Sequence, residues 1–200
     1  MFQTVMGLLT IGLEVQAGQT LLIRGGTSSI GMTTARLAKD MGLTILSTSR
    51  NPNKTDKLKT NGVDHVIIDN GDVVGQVRAL YPDGVDRVLE LIGTKTLLNS
   101  LKAAKPGGIV CMTGILGGEW MLANFTPMED IPTGVKLTSY AGEASNLSPD
   151  SLQAFVDDVA SGRQTLNLDK TFALEELPEA HRYMESNQAA GKCVVLVDKV

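Results

Sequence analysis

The chain has 200 residues, enough for one domain of ordinary size with an appended piece, and its 42% hydrophobic and 20% charged residues exclude a disordered polypeptide. The net charge of −4, with no basic stripe along the sequence, argues against nucleic acid as a partner. The apolar opening, Met1–Leu13, is interrupted by Gly7 and Gly12 and runs into Glu14, so it is too short to span a bilayer and lacks a leader's cleavage pattern.

That opening segment is expected to be a helix packed on a domain. Strand-like apolar runs follow at Thr20–Arg24, Thr44–Ser49, His65–Ile68, Asp86–Leu91, Ile109–Thr113 and Val135–Ser139. Helical stretches separate them. The first covers Ser29–Met41, with Ile30, Thr34, Leu37, Ala38 and Met41 on one face. A second follows Asn51-Pro52 and stops at Asn61-Gly62. A third opens near Asp72 and stops at Tyr81-Pro82-Asp83-Gly84. A fourth runs from Thr94 to Ala104 and stops at Pro106-Gly107-Gly108. Strands alternating with single helices, and apolar throughout, predict an α/β fold: a doubly wound parallel Rossmann sheet covered on both faces.

After Tyr140 the rhythm changes. A polar Gly/Ser/Asn-rich stretch leads to a helix at Asp150–Ser161, a short run Thr171–Leu174, a helix at Glu175–Asn187 and a last strand Cys193–Val197. We therefore expect a Rossmann domain over residues 1–145 and a C-terminal helical/strand extension over 146–200 that does not continue the βα alternation.

The chemistry is carried by Gly25-Gly26-Thr27-Ser28-Ser29-Ile30-Gly31, a glycine-rich turn between the first strand and the first crossover helix. Its spacing is G-x-G-x-x-G with Ser28 at the middle position. Gly26 is expected to permit the tight turn, Ser28 to let a diphosphate approach the backbone, and Gly31 to let the helix pack closely. The N–H groups from Thr27 to Gly31, at the positive end of a helix, would hold the anion. A glycine turn before a helix also occurs without any ligand, so the motif alone is weak. A P-loop is excluded because Met32-Thr33 stand where Lys-Ser/Thr is needed. The second strand ends Ser49-Arg50, without the acid that a methyltransferase or an NAD site would place on a ribose. A 2′-phosphate prefers a cation there, so Arg50, Lys54 one helical turn on, and the Ser49 hydroxyl predict NADPH as the cofactor. Each charge-assisted hydrogen bond contributes about 1.5–3 kcal/mol. Basic residues are also commonly just solvated charges.

Ligands of open α/β sheets lie outside the carboxyl ends of the strands. That edge offers Asp69, Ile92-Gly93 and Gly114-Ile115-Leu116. Gly93 and Gly114 would let ribose and nicotinamide approach, and Ile115 and Leu116 would form an apolar wall beside the ring. No catalytic acid emerges. His65 begins a strand at the far edge, His181 lies among charges on a tail helix, and neither Tyr140 nor Tyr183 has a lysine four residues on. Cys111 and Cys193 each sit in an apolar run and read as small buried hydrophobes, suited to a reducing cytoplasm, and no Cys/His cluster offers metal ligands.

Beyond these readings, Gly25–Gly31 followed by Ala35-Arg36-Leu37-Ala38-Lys39 resembles the cofactor loop of the zinc-free quinone oxidoreductases of the medium-chain dehydrogenase/reductase superfamily. Gly62-Val63-Asp64-His65-Val66-Ile67, Gly84-Val85-Asp86, Pro106–Val110, Phe172–Glu176, Glu179–Ser186 and Gly191-Lys192 extend the resemblance over nearly the whole chain. It implies hydride transfer from NADPH to a quinone or enone acceptor, with Arg50 and Lys54 on the 2′-phosphate. It implies a GroES-like β-domain preceding Met1, which would form the other wall of the cleft and receive the tail. It also implies a homodimer through the edge strand 135–139. On that reading this chain binds cofactor but turns over poorly. A non-catalytic NADPH-binding sensor or regulatory module, and an interaction protein that kept only the fold, remain alternatives.

Overall fold

In the computed structural model, residues 1–186 and 188–197 are described. Helix α1 (Phe2–Gly7) widens at its end into a π-helical turn, Leu8–Gly12. It is followed by β1 (Thr20–Arg24), α2 (Ser29–Asp40), β2 (Thr44–Ser49), α3 (Thr55–Thr60), β3 (His65–Ile68), α4 (Val73–Leu80), β4 (Val85–Glu90), α5 (Thr94–Ala103), β5 (Ala104–Met112), the short α6 (Pro127–Asp130) and β6 (Lys136–Ser139). The tail holds α7 (Pro149–Ala160), β7 (Leu168–Ala173), α8 (Leu177–Glu185) and β8 (Lys192–Leu196).

Six strands form one parallel sheet in the order β3-β2-β1-β4-β5-β6, the Rossmann arrangement with its reversal between β1 and β4. Alternate residues of the same strands feed two cores. Leu21, Ile23, Leu89, Ile109 and Cys111 pack with Val5, Leu8, Leu9 and Leu13 of the N-terminal segment and with α2 on one face. Leu22, Val88 and Val110 pack with Val73 and Val77 of α4 and Leu97 and Leu101 of α5 on the other. The period-2 alternation of side chains thus explains why strands that read as unbroken apolar runs are needed. The opening segment packs as a helix, as its composition predicts.

Three expectations change. Strand β5 begins at Ala104, running through Pro106-Gly107-Gly108 rather than starting after it; Ala104 pairs with Val85, and a register shift between Val85 and Arg87 absorbs the irregularity. The tail does continue the βα rhythm. Strands β7 and β8 pair in parallel, with α8 as the crossover between them, forming a separate two-stranded sheet. Strand β7 starts at Leu168, earlier than the apolar run Thr171–Leu174 predicts, because its exposed leading residues pair through backbone rather than burial. The expected helix end at Asn187 lies outside the described residues; α8 itself ends at Glu185.

Carboxylates pin the amino-terminal rim of the sheet. Burial works to raise the Asp86 carboxyl, but Lys105 Nζ at 2.7 Å and donation from the Thr20 N–H and hydroxyl outweigh it and hold it below its ordinary value. Asp64 is lowered in the same way: burial opposes, and the Ile45 N–H and Lys39 Nζ prevail. Depressed folded-state values give stability that is full above the unfolded carboxyl value near ~4 and is lost as pH falls through the folded one. Melting temperature should therefore be level from about pH 7 to 5 and fall below about pH 4. Asp86→Asn should remove part of that acid-side slope, and an unchanged slope would dissociate the carboxylate from acid unfolding.

Candidate functional site

A cavity of about 790 Å³ opens along the carboxyl edge of the sheet, within the usual range of ligand pockets of about 300–1,000 Å³. It is lined by the residues that follow each strand: Gly25 to Ser29 with the exception of Gly26, then Arg50 and Lys54, Asp69, Ile92, and Leu116 with Gly117.

At its centre the loop after β1 bends at Gly25, whose φ of +83° is the left-handed region that favours glycine. The sequence reading put this turn at Gly26. Gly26 is required for a different reason: a Cβ there would lie 1.7 Å from Ser47 Oγ of β2. Strand β2 holds the loop in place, with Thr48 Oγ1 accepting from Gly25 N–H at 3.1 Å and the Thr48 carbonyl accepting from Gly26 N–H at 3.2 Å. At Gly31 a Cβ would lie 2.6 Å from the Gly25 carbonyl and 2.8 Å from Gly26 Cα, so helix and loop are in backbone contact. Ser28 caps α2 by accepting from Gly31 N–H at 3.1 Å. That bond occupies one of the amides expected for the anion. The N–H groups of Ser29 and Ile30 make no hydrogen bond among the described residues, at the positive end of a 12-residue helix. The Ile30 side chain turns away and packs on the core beneath α1 and α2.

The corner beyond β2 is cationic. Arg50 is exposed and lines the cavity. Lys54 is only 7% exposed and donates to the Ala189 carbonyl at 2.8 Å. Burial pushes its ammonium below the usual lysine value, Lys57 and Arg50 add repulsion, and Asp169 works against them. The Ser49 hydroxyl does not serve as the free donor the sequence suggested. It donates to the Asn51 carbonyl and accepts from Asn51 N–H, closing the turn after β2. Asp69 lines the floor but is engaged by Arg24, which is 2% exposed and bonds Asp69 Oδ2 at 3.1 Å and Asn99 Oδ1 at 2.7 Å. A charged residue ending an otherwise apolar strand was the available signal for Arg24.

At the other end Ile92 and Leu116 line the cavity, whereas Gly93, Gly114 and Ile115 do not. Those three pack against one another behind the wall. Gly93 has φ +101°, and a Cβ on it would meet the Gly114 carbonyl at 3.1 Å and Ile115 Cα at 3.2 Å. A Cβ on Gly114 would lie 2.7 Å from the Leu91 carbonyl. Their glycines serve loop-to-loop approach rather than approach of a ligand. The tail supplies lining that sequence reasoning missed: Met184, Ala189, Gly191, Lys192 and Cys193. Cys193 is half-buried there rather than a core residue, and burial and Asp169 raise its thiol, keeping it protonated. The tail is held to α3 by the Lys57–Asp169 ion pair, with Tyr183 Oη donating to Asp169 at 2.8 Å. His65 stands at the start of β3 with its ring edge-on to Tyr81, and His181 is exposed on α8.

The family described as zinc-binding dehydrogenase matches residues 61–195. The chain belongs to that family. The chain is 28% identical over 194 residues to a 2-haloacrylate reductase of Burkholderia sp, covering 92% of this chain and 57% of that protein. It is 25% identical over 189 residues to the quinone oxidoreductase of Rattus norvegicus, covering 92% and 56%. Among solved structures, 2-haloacrylate reductase matches with a TM-score of 0.82 at 26% identity, over 98% of this chain and 63% of that one. The mycobacterial protein Rv1454c, solved as a complex with NADPH, matches in fold with a TM-score of 0.83 at 22% identity, over 98% and 61%. The chain thus spans little more than half the length of the curated relatives it matches. The 2-haloacrylate reductase and the quinone oxidoreductase are oxidoreductases by name, and this chain corresponds to the cofactor-binding part of such a protein. Among its described residues no group of three or more His, Cys, Asp or Glu could hold a metal ion, so the zinc of the family's description has no donor set there. No helix among the described residues is long and apolar enough to cross a membrane.

Proposed function

We propose that this domain binds NADPH across the carboxyl edge of its sheet and presents it for hydride transfer to an electron-poor acceptor of the quinone or enone class. The observation that carries the reading is the combination, in one cavity, of Ser29, whose amide opens α2 without a hydrogen bond among the described residues, with a cationic corner after β2. Backbone contact at Gly31 leaves the diphosphate room to meet the Ser29 and Ile30 amides, where the helix end favours negative charge. Arg50 is positioned to meet a 2′-phosphate bidentately. Lys54 is desolvated, so an anion nearby would relieve the cost that lowers its basicity. The adenosine half then lies over β2 and β3, and the nicotinamide half over β4 and β5. When bound, the dinucleotide supplies the hydride. Ile92 and Leu116 keep water from the reacting ring, and the loops set its position.

The relatives' functions support this reading, as does the NADPH in one structural neighbour. Leu116, which lines the apolar end of the cavity, and Trp120 and Met121 further along the same loop after β5 are exposed, and there we put the acceptor and a further wall. With that wall supplied by another part of a longer protein, residues 1–145 act as the cofactor domain and 146–200 as the segment joining the halves. This chain by itself then binds cofactor and turns over slowly, since transition-state stabilisation needs both walls. Its free edge strand β6 suits pairing with a second copy, and its unpaired thiols suit the cytoplasm.

Thermal shift with NADPH and NADH tests the binding claim. A ligand at about 100 times its dissociation constant stabilises the native state by about 2.7 kcal/mol, roughly 5–11 °C for a chain of this size. The expected result is a shift of that order with NADPH and a smaller one at equal NADH. No shift with either at millimolar concentration would overturn the cofactor assignment.

A further inference from the structure

The side chain of Glu90 ends β4 in full burial, with 0% exposure, and does not itself line the cavity. Its carboxylate is saturated with donors. Oε1 accepts from the N–H of Ile92 at 2.6 Å and of Gly93 at 3.0 Å, while Oε2 accepts from the hydroxyls of Thr96 at 2.8 Å and Ser100. A buried carboxylate is costly unless its lone pairs are met, and here four donors meet them. Two of the donors are consecutive amides of the β4–α5 turn, and two are hydroxyls on the first turns of α5.

That turn carries more than itself. Gly93 lies at φ +101° in contact with the loop after β5. The carbonyls of Leu91 and Ile92 accept from the N–H groups of Leu116 at 3.0 Å and Gly117 at 2.7 Å. Ile92, Thr96, Leu116 and Gly117 all line the cavity. One hidden carboxylate therefore fixes the turn that in turn fixes both loops of the apolar end. Because two of its four donors are backbone amides of that turn, moving it would move the turn and the loop bonded to it.

We infer that Glu90 is a positioning residue for the nicotinamide half of the cofactor, acting through the Ile92–Gly93 turn and the Leu116–Gly117 loop that hangs from it. The inference rests on the NADPH reading above. It separates Glu90 from the adenosine half, which Arg50 and Lys54 line after β2, across β1 from β4.

The test compares two probes on the full chain: NADPH, and adenosine 2′,5′-bisphosphate, which carries the adenosine phosphates and lacks the nicotinamide. Glu90→Ala should weaken NADPH about tenfold, the loss expected for about one well-placed contact region, and leave the bisphosphate within about twofold of the unsubstituted protein. Glu90→Gln should recover most of the NADPH affinity. Its carbonyl can take the two amides, and its NH₂ can donate to the Thr96 and Ser100 hydroxyls, which rotate to accept. If Glu90→Ala does not fold, Ser100→Ala serves: it removes one donor from the carboxylate without touching the cavity, and should weaken NADPH about threefold with the bisphosphate unchanged. Equal loss of both probes, or no loss of either, in a folded variant would overturn the inference and leave Glu90 a structural residue. Failure of the unsubstituted protein to bind either probe would instead bring down the cofactor reading, and this inference with it.

Discussion

Replacing Arg50 with alanine should raise the dissociation constant for NADPH by about 10- to 100-fold while changing that for NADH by less than about twofold. The asymmetry follows from position. Arg50 stands exposed at the end of β2, lines the cavity and makes no ion pair or hydrogen bond among the described residues, so its loss removes ligand contacts and little of the fold. A charge-assisted hydrogen bond contributes about 1.5–3 kcal/mol, and Arg50 can make two. Lys54 would leave part of the preference in place, though its ammonium is already shared with the Ala189 carbonyl. Fluorescence titration with both nucleotides reads the effect. Equal weakening of the two would mean that the guanidinium does not recognise the extra phosphate.

Gly31→Ala should be nearly as severe, and by a different route. The added Cβ would lie 2.6 Å from one backbone atom and 2.8 Å from two others, all in the Gly25–Gly26 turn, and no side-chain rotation relieves that contact. Either the helix withdraws or the loop moves, and both take the Ser29 and Ile30 amides away from their present setting. Overpacking of this kind costs about 1–3 kcal/mol, a fall of roughly 2–12 °C in melting temperature. NADPH binding should be lost even where the variant folds. A parallel Gly26→Ala variant gives a useful contrast, because its closest clash is with the Ser47 hydroxyl rather than backbone, and Ser47→Ala in the same chain should relieve part of it. A Gly31→Ala protein that melts and binds like the unsubstituted chain would mean that the loop does not depend on this contact.

The strands of the main sheet were legible because burial on both faces leaves short apolar cores with few charges between the turns, Leu21–Ile23 in β1 and Ile45-Leu46 in β2. Strand β5 was read short because Pro106-Gly107-Gly108 is a breaker by composition, and only pairing with β4 across a register shift carries the strand through it. The tail's parallel pair was not legible at all. Half of β7 is exposed and its partner lies beyond a whole helix, so neither periodicity nor a turn signal announces the pairing.

The site divides in the same way. The loop from Gly25 to Gly31 is local, and its spacing locates the helix mouth. What each atom there does depends on neighbours distant in sequence: Thr48 reaching Gly25, Ser47 crowding Gly26, Arg24 engaging Asp69. Ser49 looked like a donor for a phosphate, but two residues on, Asn51 takes both its hydrogen-bonding roles. Gly93, Gly114 and Ile115 were expected against the ligand because they follow strands, yet what they follow is each other's loops. The lining from Gly191 to Cys193 follows from tertiary contact alone.

All six strands of the main sheet run the same way, so the molecule has two rims with separate duties. The carboxyl rim carries the loops offered to a ligand. The amino rim carries Asp64 and Asp86, which tie neighbouring strands and answer to acid. Substitutions at Asp64 or Asp86 and at Arg50 therefore act at opposite ends of the strands, and their effects on acid stability and on nucleotide choice should add.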